Sequence, residues 1–160
     1  MRIEILISKQ SLHLYDDTGT VIARYPVSTA TNGAGCEKDS GCTPLGAHII
    51  RAKIGASAPT NTVFVGRRAT GEICTPELMQ ANPSRDWILT RILWLSGQEI
   101  GKNRLGNVDT MQRYIYIHGS PNNVEMSKPG SHGCVRMRNR DVMALFNMVA
   151  VGTRVFIHNG

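Results

Sequence analysis

The sequence predicts a mainly β domain, either a β-sandwich or a curled mixed sheet, with a few short helices and one C-terminal helix. Short apolar stretches alternate with turn residues along most of the chain, and glycine is abundant at 16 of 160 residues. One segment near the C-terminus has the periodicity of an amphipathic helix. A chain of this length can bury a full hydrophobic core, so we expect residues 1–160 to form a single domain.

The first third of the chain is predicted to form strands and hairpins. Ile3, Ile5 and Ile7 recur at every second position, which is typical of a strand with one buried face. The turn sequence Asp16–Gly19 then connects two further strands as a hairpin. The predicted strands span residues 1–8, 11–15, 20–28 and 46–54, the last of them after a glycine-rich loop.

The middle of the chain, from residue 66 to residue 113, is less regular. Thr75 is a good helix N-cap and Pro76 suits the first helical position, which predicts a short helix that ends near Ala81. β-Branched and aromatic residues predict a strand over 86–95. A long loop rich in glycine and asparagine follows over 96–109, and long loops in compact domains are often functional.

The C-terminal helix is the most clearly predicted element. We expect Asn139 to be its N-cap and Gly152 to end it. Its apolar face should pack on the sheet, and that face comprises Val142, Leu145, Phe146 and Val149. A final strand over 153–157 should return to the same sheet.

Reactive residue types are concentrated between His118 and Cys134. A thiol is only slightly ionised near neutral pH, so a nucleophilic cysteine needs a neighbouring imidazole or an electropositive turn. Both histidines in this window precede a glycine, whose amide can approach a substrate and donate to an oxyanion. A lone cysteine or histidine is more often structural. The combination instead predicts a cysteine active site built from Cys134, His118, His132, Gly119 and Gly133.

The same residues resemble the signature of the YkuD-type L,D-transpeptidase catalytic domain. In that signature, a His-Gly pair after an apolar strand precedes Ser/Thr-His-Gly-Cys, an apolar residue, and Arg or Asn. Here the two parts are His118-Gly119 and Ser131–Arg136, with no departure at the core positions. Thr43–Gly46 also resembles the family's Thr-Pro-x-Gly segment. The resemblance covers most of the chain and implies a mainly β fold.

The expected mechanism assigns roles to the reactive residues. His118 would accept the proton of Cys134 as a general base and would return it to the leaving amine as a general acid. The amides of Gly133 and Cys134 are the natural oxyanion donors, with His132 as a supporting residue. The resemblance implies that a main-chain carbonyl just after His118 holds its imidazole, either that of Gly119 or that of the next residue.

Two further residues and one segment are expected around the reactive thiol. Ser131 and Arg136 are assigned to substrate binding, because a guanidinium suits a substrate carboxylate. A structural ion pair is an equally open role for Arg136. Segment 67–109 is expected to form a lid or wall over the thiol. An insertion without a role in function is an equally open alternative.

Residue chemistry alone does not identify the substrate. The resemblance implies a peptidoglycan stem peptide, attacked at the carbonyl of its third residue, a diamino acid, with release of terminal D-alanine and a thioester on Cys134. Water would complete an L,D-carboxypeptidase reaction, and an amine would complete cross-linking or D-amino-acid exchange by an L,D-transpeptidase. We favour the carboxypeptidase, which would trim tetrapeptides in cytoplasmic muropeptide recycling. A non-catalytic peptidoglycan-binding module is a second alternative.

The N-terminal sequence and the charge distribution indicate the expected location and partners. Glu4 interrupts the apolar start, so we see no signal peptide and expect a cytoplasmic protein that does not bind membranes. A trimmed N-terminus would instead be compatible with a periplasmic location. The net charge of +6 is not arranged as a basic stripe, so nucleic acid is not an expected partner. Carbapenem-type β-lactams are expected to acylate Cys134.

The four cysteines do not have the spacing of a metal site. Cys36 and Cys42 lie in one glycine-rich loop and could form a disulfide, but a reducing cytosol would keep them as thiols. Cys74 precedes a predicted helix and is expected to be structural. Without a Cys-x-x-Cys or similar pair, we expect neither a metal ion nor another cofactor.

Overall fold

Ten strands form one continuous mixed sheet in the computed structural model, which describes residues 1–160. The strands are β1 (Arg2–Leu6), β2 (Ser11–Tyr15), β3 (Val21–Pro26), β4 (Gly46–Ile54), β5 (Thr62–Val65), β6 (Arg68–Ile73), β7 (Ile88–Gly97), β8 (Tyr116–Ser120), β9 (Val135–Arg138) and β10 (Arg154–His158). The helices are α1 (Pro76–Ala81) and α2 (Asn139–Met148), with a short 3₁₀ turn at Gly106–Val108. The mainly β class that the sequence predicts is confirmed.

The sheet order places the early strands beside the last one. It runs β3-β2-β1-β10-β4-β7-β5-β6, while β8 pairs with β7 and carries β9 on its other side. Two of the pairings are parallel, β1 with β10 and β8 with β9. The parallel pairing of β8 with β9 joins the two halves of the predicted reactive motif.

One main hydrophobic core of 19 buried residues lies between the sheet and α2. The isoleucines of the first strand belong to it, as the alternating pattern predicts. The residues of the predicted apolar face of α2 are also buried. The helix ends earlier than expected, at Met148 with Val149 as its C-cap, so the expected end at Gly152 is wrong. None of the helices is long and apolar enough to cross a membrane.

The predicted lid over 67–109 is not a single unit in the structure. The segment contains β7, which pairs with β4, β5 and β8 at the centre of the sheet. Leu89, Ile92 and Leu93 are fully buried there, because an apolar strand gains more from the core than from a surface cover. A β5–β6 hairpin, which the sequence analysis did not predict, occupies the preceding residues and turns at Gly66-Arg67.

The expected N-cap role of Asn139 is wrong. Arg138 is the N-cap of α2, and Asn139 is the first helical residue with its side chain turned into the protein. Its Oδ1 accepts from Thr90 Oγ1 at 2.7 Å, and its Nδ2 donates to Asn61 Oδ1 at 2.8 Å. The main-chain N–H of Asn61 then donates to Thr90 Oγ1 at 3.0 Å. Asn139 therefore closes a polar ring between α2 and β7 instead of capping a helix.

This polar ring gives a first testable prediction. Asn139→Ala leaves the buried Thr90 hydroxyl and the half-buried Asn61 carboxamide without their partner, so we expect a loss of about 1–3 kcal/mol in the free energy of unfolding. Urea denaturation measures it. Asn123→Ala, at an exposed position, is the control and should be close to neutral. Equal stability of the two variants would contradict the account of the ring.

Candidate active site

The sheet register brings the two halves of the reactive motif together. Parallel pairing aligns Ile117 with Val135 and His118 with Arg136, so Cys134 lies one step before the paired region, beside Tyr116. Ile117 and Val135 face the main core. Because neighbouring residues of a strand face opposite sides, His118 projects to the other face, where the sulfur of Cys134 also lies. His118 lies in the interior of β8, whereas the sequence predicted it at a strand end.

The imidazole of His118 is buried, with 1% of its surface exposed. Its Nδ1 is 2.6 Å from the main-chain oxygen of Gly119. A carbonyl only accepts hydrogen bonds, so Nδ1 carries the proton and Nε2 presents a lone pair. Burial lowers the pKa of His118, against the opposing effect of the Gly119 hydrogen bond. The expected main-chain partner is therefore present, and the resting imidazole is a neutral base.

The thiol of Cys134 is also neutral at rest, so a proton remains for His118 to accept. Burial raises its pKa to about 12, although the Tyr116 amide donates to Sγ at 3.3 Å and favours the anion. Sγ in turn donates to the main-chain oxygen of Tyr114 at 3.4 Å. No hydrogen bond joins His118 to Cys134. Catalytic hydrogen bonds often shorten only when substrate binds.

The turn that carries Cys134 is held by its own side chains. The hydroxyl of Ser131 donates to the Cys134 oxygen at 2.6 Å and accepts from the Gly133 amide at 3.2 Å. Ser131 is 2% exposed, so its hydroxyl serves the turn and not a substrate. The Gly133 amide is likewise engaged and is not a free oxyanion donor. Of the two expected donors, only the Cys134 amide makes no hydrogen bond within the protein.

Both motif glycines are required by close contacts. At Gly119 an added Cβ would lie within 3 Å of Asn139 Oδ1 and 2.6 Å from the Leu89 oxygen. Gly133 has φ of +135°, a conformation that favours glycine, and the Cys42 oxygen would be 3.3 Å from its Cβ. These glycines position the reactive turn and strand through packing. The Gly119 carbonyl adds the contact that orients His118.

His132 and Arg136 differ in exposure and in whether they line the cavity of Cys134. His132 is exposed and lines the cavity that contains Cys134, without a hydrogen bond of its own. Arg136 is half-buried, makes no ion pair and does not line that cavity. The structural ion pair that the sequence left open is therefore not formed. Burial sets the high pKa of Cys134, and the charge of Arg136, two residues further along the same chain segment, lowers that pKa.

The cavity beside Cys134 has a volume of about 510 Å³, within the usual range for small-molecule sites. Its walls include residues that the sequence analysis did not name individually: Arg67, Asp86, Arg113, Tyr114 and Tyr116. Of these, Arg67 and Asp86 lie in segment 67–109, which the sequence analysis expected to form a lid or wall. Arg67 and Asp86 are far from the motif in sequence, and the β5–β6 hairpin and the start of β7 position them. Arg113, Tyr114 and Tyr116 are instead close to His118 in sequence, at or just before the start of β8. Gly66, directly after the apolar residues 63–65, is the one local signal that could have indicated the turn of this hairpin. No cluster of three or more His, Cys, Asp or Glu side chains has the arrangement of a metal site.

The fold and this arrangement define a mainly β domain with a histidine–cysteine site on the face of its sheet. Residues 1–157 match the family model of the L,D-transpeptidase catalytic domain, YkuD. The chain therefore belongs to the YkuD family of L,D-transpeptidase catalytic domains.

Similar proteins have the same family assignment. The chain is 32% identical over 157 residues to Escherichia coli K12 "Probable L,D-transpeptidase YbiS", covering 94% of this chain and 43% of that protein. It thus spans less than half the length of this relative.

Solved structures share the fold. An Enterococcus faecium L,D-transpeptidase superposes with a TM-score of 0.59 at 18% identity, covering 98% of this chain and 49% of that one. Mycobacterium tuberculosis L,D-transpeptidase 3, in complex with a faropenem-derived adduct, gives 0.59 at 14% identity, covering 98% and 59%. At these sequence identities, the structural similarity shows a shared fold and nothing further.

The neutral thiol gives a second testable prediction. Because burial raises the pKa of Cys134 far above neutrality, its alkylation by iodoacetamide should be slow at pH 7 and should keep increasing above pH 9. Peptide mapping by mass spectrometry measures the rate at each cysteine. Cys36, which is half-buried, serves as the internal reference. A Cys134 rate that reaches its plateau below pH 8 would contradict this assignment.

Proposed function

We propose that this protein is a cysteine enzyme that acts on peptidoglycan stem peptides through a thioester on Cys134. The observation that carries the proposal is the neutral imidazole of His118, which lines the same cavity as Cys134 and makes no hydrogen bond through Nε2. Membership of the YkuD family supports the choice of reaction and substrate class. We propose that His132 supports the reaction from the exposed wall of the cavity. Arg136 was expected to bind a substrate carboxylate; because it does not line the cavity, we propose that it acts through the effect of its charge on Cys134.

The proposed first half-reaction uses both neutral groups. Rotation of the Cys134 side chain away from the Tyr114 oxygen lets Sγ give its proton to Nε2 of His118 as it attacks the carbonyl carbon of the third residue. The Cys134 amide, free of internal partners, stabilises the oxyanion. Collapse of the intermediate breaks the C–N bond, and Nε2 returns the proton to the amine of D-alanine. A thioester remains on Cys134.

We favour hydrolysis as the second half-reaction, which makes the protein an L,D-carboxypeptidase. A cavity of about 510 Å³ has the size of a site for one ligand, and water needs no second site. An L,D-carboxypeptidase would suit the cytoplasm, where it would act in muropeptide recycling, because a cytoplasmic enzyme has no wall to cross-link. Fractionation of cells that express the full natural protein tests this location.

A second observation favours the alternative of L,D-transpeptidation. A larger cavity of about 670 Å³ lies around Trp87 and Pro121, and each of these residues adjoins a strand that carries the site. Trp87 is the neighbour of Asp86 and Ile88, which line the cavity of Cys134. An acceptor amine of a second peptide would have room to enter from this side. A defined D-amino acid added to the assay separates the two reactions.

The third prediction concerns turnover of a defined tetrapeptide. We expect the wild-type protein to release D-alanine, and Cys134→Ala to reduce release by at least about a thousandfold, because no other thiol can form the thioester. Mass spectrometry detects both the D-alanine and the tripeptide. The tripeptide indicates hydrolysis, and incorporation of the added D-amino acid indicates transpeptidation.

Cys36→Ala is the matched control for this assay. Its thiol makes only a weak contact with the Leu45 oxygen at 3.8 Å, so the substitution should leave turnover close to that of the wild type. Absence of release by the wild type, or equal release by Cys134→Ala, would overturn the proposed function.

The fourth prediction concerns β-lactams. The faropenem-derived adduct of a protein with a similar fold supports reaction with β-lactams, and we expect a carbapenem to acylate Cys134 of this protein. His118→Gln should slow adduct formation by about tenfold to a thousandfold, because the thiol then lacks its base. Intact-protein mass spectrometry gives the rate, and peptide mapping locates the adduct. An adduct on Cys36 or Cys42 with an unmodified Cys134 would contradict the prediction.

A further inference from the structure

The cavity around Trp87 and Pro121 has no charged residue in its wall. It has a volume of about 670 Å³ and lies between α1, the start of β7 and the segment that follows β8. Its 12 lining residues include no Asp, Glu, Lys, Arg or His, although 19% of the chain is charged. A ligand with a free carboxylate or ammonium would find no partner for its charge there. The cavity therefore suits a neutral ligand.

Carboxamides supply most of the polar groups of this cavity. The side chains of Gln80, Asn122 and Asn123 are exposed and make no hydrogen bond within the protein. The side chain of Asn61 uses only its Oδ1, which accepts from Asn139, so its NH₂ group stays free. A carboxamide can both donate and accept, so these groups suit a ligand that carries several hydroxyls.

Trp87 supplies a flat apolar surface to the same cavity. Arg85 covers one face of the indole, with its guanidinium carbon 4.5 Å from the ring centroid, and two hydrogen bonds to Glu72 hold it there. Trp87 lines the cavity and Arg85 does not, so the remaining surface of the ring is available to a ligand. Of the two indole N–H groups in the protein, that of Trp94 is bonded and that of Trp87 makes no hydrogen bond.

The other walls of the cavity are apolar. Pro76, Pro83 and Pro121 have fixed φ angles, which reduces the conformational entropy lost when a ligand binds. Cys74 is 8% exposed, and burial raises the pKa of its thiol. It therefore adds a neutral apolar surface and no reactive group.

We propose that this cavity binds a neutral sugar ring, namely the N-acetylated sugar to which the stem peptide is attached. The indole packs against the C–H face of the ring, while the carboxamides pair with its hydroxyls and its acetamido group. A purely apolar ligand would leave the carboxamides without partners. The inference rests on the proposed function, and it assigns sugar-linked peptides as the preferred substrates.

The position of the cavity agrees with the structure of such a substrate. Pro121 follows the end of β8 and is three residues from His118, about 10 Å along a strand. In a sugar-linked stem peptide, two residues and a lactyl group separate the third residue from the sugar, again about 10 Å when extended. A peptide whose third carbonyl lies at Cys134 can therefore place its sugar beside Pro121 and Trp87.

The test measures binding by calorimetry in the Cys134→Ala protein, so its outcome does not depend on turnover. The ligands are a free tetrapeptide, the same peptide joined to N-acetylmuramic acid, and the same conjugate without its N-acetyl group. We expect the N-acetylated sugar to strengthen binding by about tenfold or more. The de-N-acetylated sugar carries an ammonium and should give no gain. Trp87→Leu should remove the gain and leave the affinity for the free tetrapeptide within about twofold.

Trp87 also packs against the small apolar cluster that contains Leu89, so two exposed positions provide a test that leaves this cluster intact. The double variant Gln80→Ala/Asn122→Ala should reduce the gain from the sugar by about threefold or more. Gln112→Ala/Asn107→Ala is the matched control, because both side chains are exposed and neither lines the cavity. It should leave all three affinities unchanged.

Equal affinity for the free and the sugar-linked tetrapeptide would overturn the proposal. A gain that persists in both cavity variants, or no binding of any ligand, would also overturn it. A gain from the sugar without D-alanine release by the wild type would remove the proposed function and leave the sugar site standing. Release from the free and the sugar-linked peptides with the same kcat/KM would do the reverse.

Discussion

The parallel pairing of β8 with β9 is the constraint on which the site depends. It aligns His118 with Arg136 and brings the residue before β9, Cys134, against the amide of Tyr116. Two main-chain oxygens then orient the reactive side chains. The Gly119 oxygen accepts a hydrogen bond from the His118 imidazole, and the Tyr114 oxygen accepts one from the Cys134 thiol. Because these partners belong to the backbone, the sheet fixes their positions.

Other parts of the structure maintain this strand pairing through a strained backbone position and buried hydrogen bonds. Thr90 is a β-branched residue at φ of +75°, in the irregular part of β7 that faces β8. The ring of hydrogen bonds through Asn61 and Asn139 holds it there. On the other side, the Thr43 hydroxyl donates to the Gly133 oxygen at 2.9 Å and ties the Thr-Pro-x-Gly segment to the catalytic turn. Strain and buried polarity therefore concentrate behind the reactive residues, as is typical of functional sites.

Local sequence signals predicted the mainly β fold, the apolar face of α2 and the histidine–cysteine site, because alternation, helical period and a short motif are visible within a few residues. Signals that depend on tertiary contact were not visible. Asn139 has the residue type of an N-cap, yet its amide bonds across to β7, and Ser131 satisfies its own turn. Arg67 and Asp86 reach the cavity only through the β5–β6 hairpin and the start of β7. The ionisation state of Cys134 likewise depends on burial, which no motif encodes.

The tautomer of His118 tests the central claim most directly, because the base must be neutral with its proton on Nδ1 before a neutral thiol can react. Nitrogen-15 NMR of histidine-labelled protein at pH 7, with His118→Gln to assign the signal, distinguishes the two neutral tautomers and the imidazolium. We expect residue 118 to be the neutral form with the proton on Nδ1, as its bond to the Gly119 oxygen requires. An imidazolium, or a neutral ring with the proton on Nε2, would contradict the account.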